Sequence, residues 1–119
     1  MRVVDYKTGT TKVTKPEVLA VHPQLGAYQV AVTRGAFPQA GTSSGGAALL
    51  YIGRTATKGP DVRLQPPLAQ ATDPDWAETL IETSAEGMAA ATFAAQPSDA
   101  CDRCVVRGSC PAQPDGQAV

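Results

Sequence analysis

Ten prolines and eleven glycines punctuate this 119-residue chain, with Pro16, Pro23, Pro38, Pro60, Pro66-Pro67, Pro74 and Pro97 among the former and Gly9, Gly35, Gly45-Gly46, Gly53 and Gly59 among the latter. Proline cannot continue a helix interior or a central strand, and glycine tends to end both. The chain is therefore cut into several short elements joined by real loops, which argues against a long bundle. At this length it makes one small domain at most, with only two Phe and one Trp to fill a core.

Between the breakers the periodicity is readable. Residues 2–8 are partly β-branched and run into the turn Thr8-Gly9-Thr10, which predicts a strand ending just after Lys7. On a strand Asp5 and Lys7 share one face. Thr14-Lys15-Pro16-Glu17 has the form of a capping box with proline in the first turn, so a helix is expected to start there. Pro23 either breaks that helix or opens the next, and Gln24 to Arg34 fits a helical period closed by Gly35. Gln24 and Tyr28, at i and i+4, share a helical face. A polar loop over residues 38–46 leads to a buried strand, Ala47 to Ile52, and residues 60–65 form a further short strand. Asp73-Pro74 is expected to cap a long helix reaching about Ala95, with Trp76, Leu80, Met88 and Ala91 near one stripe.

The net charge of −1 argues against a strongly basic nucleic-acid binder, but the mean conceals a split. Residues 1–64 carry eight Lys/Arg against three acids, a net of +5, while residues 65–119 carry two against eight, a net of −6. The basic half, Lys12 and Lys15 included, is compatible with contact to DNA phosphates. No apolar run approaches the roughly 20 residues that span a bilayer and nothing resembles a signal peptide, so a cytoplasmic protein without membrane contact is expected. Three cysteines without a secretion signal make a disulfide framework improbable and favour metal or cluster ligation.

Two groups of residues carry chemistry. Hydrolysis of a phosphodiester needs a carboxylate to hold a divalent ion and a cation to stabilise charge developing on the phosphate, and Asp5-x-Lys7 at a strand end offers both. The other reading is a surface ion pair at a strand-to-turn junction. Gln24 and Tyr28 could project neutral donors toward phosphate or base, or serve as a helix-start polar residue and a core tyrosine. Cys101-x2-Cys104-x5-Cys110-Pro111 places three thiolates within ten residues of a polar loop, where they can wrap one metal centre. Spacing alone leaves zinc and an iron–sulfur cluster both open. Either needs a fourth ligand, for which His22 is the sole non-cysteine nitrogen donor; otherwise His22 reads as a turn or surface residue.

Taken together, Val3-Val4-Asp5-Tyr6-Lys7-Thr8-Gly9, Gln24-Leu25-Gly26-Ala27-Tyr28 and Cys101-x2-Cys104-x5-Cys110-Pro111 resemble the closing half of a RecB-like nuclease domain of the PD-(D/E)XK superfamily, in its iron–sulfur variety. The resemblance implies an α/β fold, a partial restriction-endonuclease-like core of a few strands flanked by helices with a C-terminal cysteine loop. It implies that Asp5 binds Mg²⁺ or Mn²⁺, that Lys7 is the catalytic lysine, and that Gln24 and Tyr28 form the Gln-x3-Tyr motif beside the site. Cys101, Cys104 and Cys110 would be three of four ligands to a [4Fe–4S] cluster. Such domains belong to bacterial helicase–nucleases, notably of the actinobacterial two-subunit type, which process double-strand breaks. The implied partners are thus DNA and a helicase domain or a partner helicase–nuclease subunit.

On this reading residues 1–96 are the C-terminal portion of a nuclease core, 97–111 the cysteine loop and 112–119 a disordered tail. The pattern's preceding Gly-x-x-Asp ligand, a further upstream acidic or His position and the first cluster cysteine would all lie before Met1. No Walker A sequence occurs. The chain is therefore expected to be part of something larger and a poor DNA exonuclease, or none, by itself. The competing expectations are a noncatalytic zinc- or cluster-binding module that contacts DNA, and a decayed gene fragment.

Overall fold

The computed structural model describes residues 1–9, 12–53, 59–92 and 94–113, so Arg54, Lys58 and most of the expected tail lie outside the described residues. The chain divides into two compact units, Met1–Ala85 and Glu86–Val119.

The first unit opens with β1 (Val3–Lys7), followed by two short helices, α1 (Pro16–Ala20) and α2 (Pro23–Thr33), then β2 (Ala47–Tyr51) and β3 (Asp61–Gln65). The strands form one mixed sheet in the order β1-β2-β3, with β1 parallel and β3 antiparallel to β2. Parallel pairing needs a crossover, which α1 and α2 supply. This is the small α/β architecture expected of a partial restriction-endonuclease-like core.

Register sorts the side chains into two faces. Val3, Ala47 and Gln65 stand in one row, Asp5, Leu49 and Arg63 in the next, and Lys7, Tyr51 and Asp61 in the third. This face meets the helices. Leu25 of α2 joins Ala47, Leu49 and Tyr51 in the buried core, with Val3, Val13, Leu19 and Tyr28 packed against it. Each fully buried leucine contributes on the order of 2 kcal/mol by removal from water. The same face thus passes from apolar at the start of β1 to charged at its end.

Two glycines permit close approaches. Gly46 has φ +93°, and a Cβ there would meet the Gln65 carbonyl oxygen at 2.5 Å, so the residue that leads into β2 must be glycine. Gly26 lets the Trp76 ring lie on α2, where a Cβ would stand 2.5 Å from the ring edge.

The helix starts differ from expectation at α1. The capping box from Thr14 to Glu17 does not form. Lys15 takes the cap position in extended conformation, with no side-chain cap bond. The residue before a proline is pushed out of the helical region, which moves the start of the helix one residue past Thr14. The third helix, α3 (Trp76–Ala89), stops short of Ala95. Ala77 is its one buried residue, while Leu80 is exposed and Met88 is 78 % exposed. A helix without a buried stripe gains little from packing, so its last expected turns are not held.

The second unit takes in the last residues of α3 and, beyond them, two 3₁₀ turns, Asp99–Arg103 and Arg107–Ser109, held by local backbone bonds. No described helix is long and apolar enough to cross a membrane.

Candidate active site

The inward face of the sheet delivers Asp5 and Lys7 from the end of β1, and the first turns of α2 deliver Gln24 and Tyr28. The Lys7 ammonium lies 2.8 Å from Asp5 Oδ2 and donates to Gln24 Oε1 at 2.7 Å. Gln24 Nε2 in turn donates to Tyr28 Oη at 2.9 Å. Four residues chosen from sequence spacing therefore form one continuous polar chain, running from carboxylate through ammonium and amide to phenol.

Alternation on β1 turns both side chains to the inward face, where Asp5 is 14 % exposed and Lys7, at the strand end, 32 % exposed. Contact with the Asp5 carboxylate, together with its charge, holds the Lys7 pKa above its ordinary value, against the smaller opposing effect of burial. Lys7 is therefore a cation throughout the neutral range. It can stabilise negative charge on a phosphate oxygen, whereas removal of a proton from water would require it to be neutral.

Asp5 Oδ2 is buried and accepts no hydrogen bond of good geometry, so its contact with Lys7 is an ion pair by distance. A buried carboxylate oxygen with unused acceptor capacity is suited to a cation. Magnesium in particular binds through one or two carboxylates, completing its shell with waters and substrate phosphates. Among the described residues no group of three or more His, Cys, Asp or Glu is placed to hold a metal ion.

The basic residues expected to touch DNA are placed differently from one another. Lys12 pairs with Asp61 at 2.5 Å and stands 5.7 Å from the centre of the Tyr51 ring, so its charge is already engaged. Arg63 reaches the other oxygen of Asp61 at 3.0 Å. The bond from Lys12, joined by the charge of Arg63, holds the Asp61 carboxyl below its ordinary pKa. Lys15 is exposed at the start of α1. Tyr51 Oη accepts from the Val13 backbone at 3.0 Å, which ties the segment after β1 to the sheet.

Sequence reasoning did not single out Gln29 and Gln65, which are fully and almost fully buried. Gln29 lies on the Leu25 and Val32 side of α2, and a polar residue at that helical spacing was the available signal. A cavity of about 440 Å³ lies elsewhere in this unit, among Ala20, Pro66, Pro67, Leu68 and Trp76; Asp5, Lys7, Gln24 and Tyr28 do not line it.

In the second unit Cys101 and Cys110 are half-buried, Cys104 is exposed, and all three are free thiols. Cys101 Sγ accepts from the Ser98 backbone at 3.2 Å, and the backbone N–H of Cys104 returns to the Cys101 carbonyl at 3.2 Å. These are local turns. His22, the other candidate ligand, caps α2 through its carbonyl, which accepts from Gly26 at 3.0 Å, and its Nδ1 is buried without a partner.

The profile of the PD-(D/E)XK nuclease superfamily matches residues 1–111 of the chain. Neither the curated proteins nor the solved structures contain a match to it.

Proposed function

The chain belongs to the PD-(D/E)XK nuclease superfamily, and from that premise we propose that it is part of a RecB-like, divalent-metal-dependent DNA exonuclease acting with a helicase at double-strand breaks. The observation that carries the reading is the meeting of Asp5 and Lys7, at the end of β1, with Gln24 of α2 at 2.8 and 2.7 Å. Asp5 would hold Mg²⁺ or Mn²⁺, and the bound ion would supply positive charge and a more acidic water at the scissile phosphate. Lys7, held protonated by Asp5 and aimed by Gln24, neutralises charge on the phosphate oxygens. Tyr28 fixes the Gln24 amide, so that its carbonyl oxygen faces Lys7. Lys15, exposed at the start of α1, contacts the DNA backbone, and Lys12 can join it only by giving up Asp61.

Cys101, Cys104 and Cys110 would supply three thiolates to a [4Fe–4S] cluster. Their spacing supports this role, and the fourth ligand would come from elsewhere. Lys7→Ala in the native polypeptide should lower Mg²⁺-dependent degradation of linear DNA by about 10²-fold or more, the scale of losing one charge-stabilising donor. Iron content after anaerobic reconstitution should be unchanged. Retention of cleavage within a few-fold would sink the assignment.

A further inference from the structure

We infer that Gln65, the last residue of β3, is a positioning residue for Lys7 that acts through α2; this rests on the reading of Lys7 as the group that meets the phosphate. Gln65 is 2 % exposed, yet its amide is fully engaged. Its Nε2 donates to the carbonyls of Leu19 at 2.8 Å and Ala20 at 3.2 Å, with that of His22 at 3.4 Å. Those carbonyls close α1 and open α2. A helix as short as α1 cannot satisfy its own final carbonyls, so a buried donor from the sheet does so.

The other half of the amide locks α2 itself. Gln65 Oε1 accepts from Gln29 Nε2 at 2.9 Å, and Gln29 Nε2 also reaches the Pro66 carbonyl at 3.1 Å. Gln29 Oε1 accepts from Ser44 Oγ at 2.9 Å and from the Leu68 N–H at 3.1 Å. The two glutamines thus bolt α2 to the exit of β3 and to the approach of β2. Both ends of a buried amide pair are directional, and leaving either unpaired is expensive, so the arrangement specifies one register.

Gln24 lies five residues before Gln29 on the same helix, about 7.5 Å along the axis and roughly 140° around it. A slip of α2 by one residue would turn it by about 100° and shift it by about 1.5 Å, which no 2.7 Å hydrogen bond tolerates. Packing of Leu25 and Val32 is non-directional and permits small rotations. The Gln29–Gln65 pair removes that freedom, and the Gln24–Lys7 bond depends on it.

The test uses the whole chain, labelled with ¹⁵N, and reads the Gln24 side-chain amide signal. Its position without the lysine is taken from Lys7→Met. Gln65→Met keeps the volume and removes every bond of the amide. In that variant, with secondary structure intact by circular dichroism, the Gln24 signal should move most of the way toward its Lys7→Met position. Ser44→Ala, which removes one bond to Gln29, should move it the same way by less. An unmoved Gln24 signal in folded Gln65→Met overturns the inference; if that variant does not fold, an unmoved signal in Ser44→Ala does so. Cleavage separates the two claims. A chain that moves as expected but never cleaves DNA in its native polypeptide loses the nuclease reading and keeps the positioning role.

Discussion

The units Met1–Ala85 and Glu86–Val119 hold their candidate chemistry in opposite ways. In the first, Lys7 and Gln24 bond across 17 positions of sequence, and Gln29 reaches Gln65 across 36. In the second, the described side-chain and backbone bonds link residues no more than five apart, such as Arg107 to Asp102 at 3.0 Å. The first site is made by the fold, because a sheet and a helix must be in place before its groups meet. The cysteine segment is a local motif, its three cysteines set within ten residues of chain and its turns closed by short-range bonds. A metal centre there would add the long-range tie that its own backbone bonds do not provide.

The comparison can be broken by measurement, beginning with the core. Leu49→Ala removes a fully buried side chain from β2 and should destabilise the chain by about 2–5 kcal/mol in urea unfolding. A loss below 1 kcal/mol would mean that the first unit is not held by this core. Gly26→Ala forces a methyl group against the Trp76 ring and should cost about 1–3 kcal/mol by overpacking. If it is neutral, the approach of Trp76 to α2 is looser than the distances indicate.

Acid sensitivity sharpens the contrast within the first unit. The folded Asp61 pKa is depressed by Lys12 and Arg63. Its contribution is therefore fully present above about pH 4 and is lost as pH falls through the folded value. Asp61→Asn should flatten the acid side of the stability profile, measured as the urea midpoint between about pH 5 and pH 2. An unchanged slope would show that the ion pair is screened away. Lys7 has the opposite sign. Its raised pKa gives stability present below about pH 10 and lost above it, so it should impose no descending limb on activity near neutrality.

The smallest effect is expected in the second unit. Val105, 99 % exposed in the cysteine segment, should tolerate alanine within about 0.5 kcal/mol. The same substitution after anaerobic iron reconstitution is a sharper probe. A destabilisation that appears only with iron bound would mean that the metal closes this segment onto a surface that includes Val105.

Much of this was legible before any coordinates. The strand carrying Asp5 and Lys7, the helix opened by Pro23 and closed by Gly35, and the strands near residues 47–52 and 60–65 all follow from breakers and periodicity, which act over a few residues. The i, i+4 relation of Gln24 and Tyr28 is likewise a local property, and the structure joins them by a hydrogen bond. Less legible was the extent of α3. Its apolar spacing fits a helix to Ala95, but spacing does not reveal whether a partner surface exists to bury it.

The sequence by itself determined which residues could share a face, because alternation on a strand and the helical turn are set by backbone geometry. It also determined that the three cysteines fall within one ten-residue segment. Only the tertiary structure decided that Gln24 meets Lys7, that Lys12 is engaged by Asp61, and that Gln29 and Gln65 lock one helix to the sheet. Those contacts depend on the parallel register of β1 and β2 and on the axial position of α2. Both are fixed by many residues at once, through packing and buried amides, and no short window of sequence contains them.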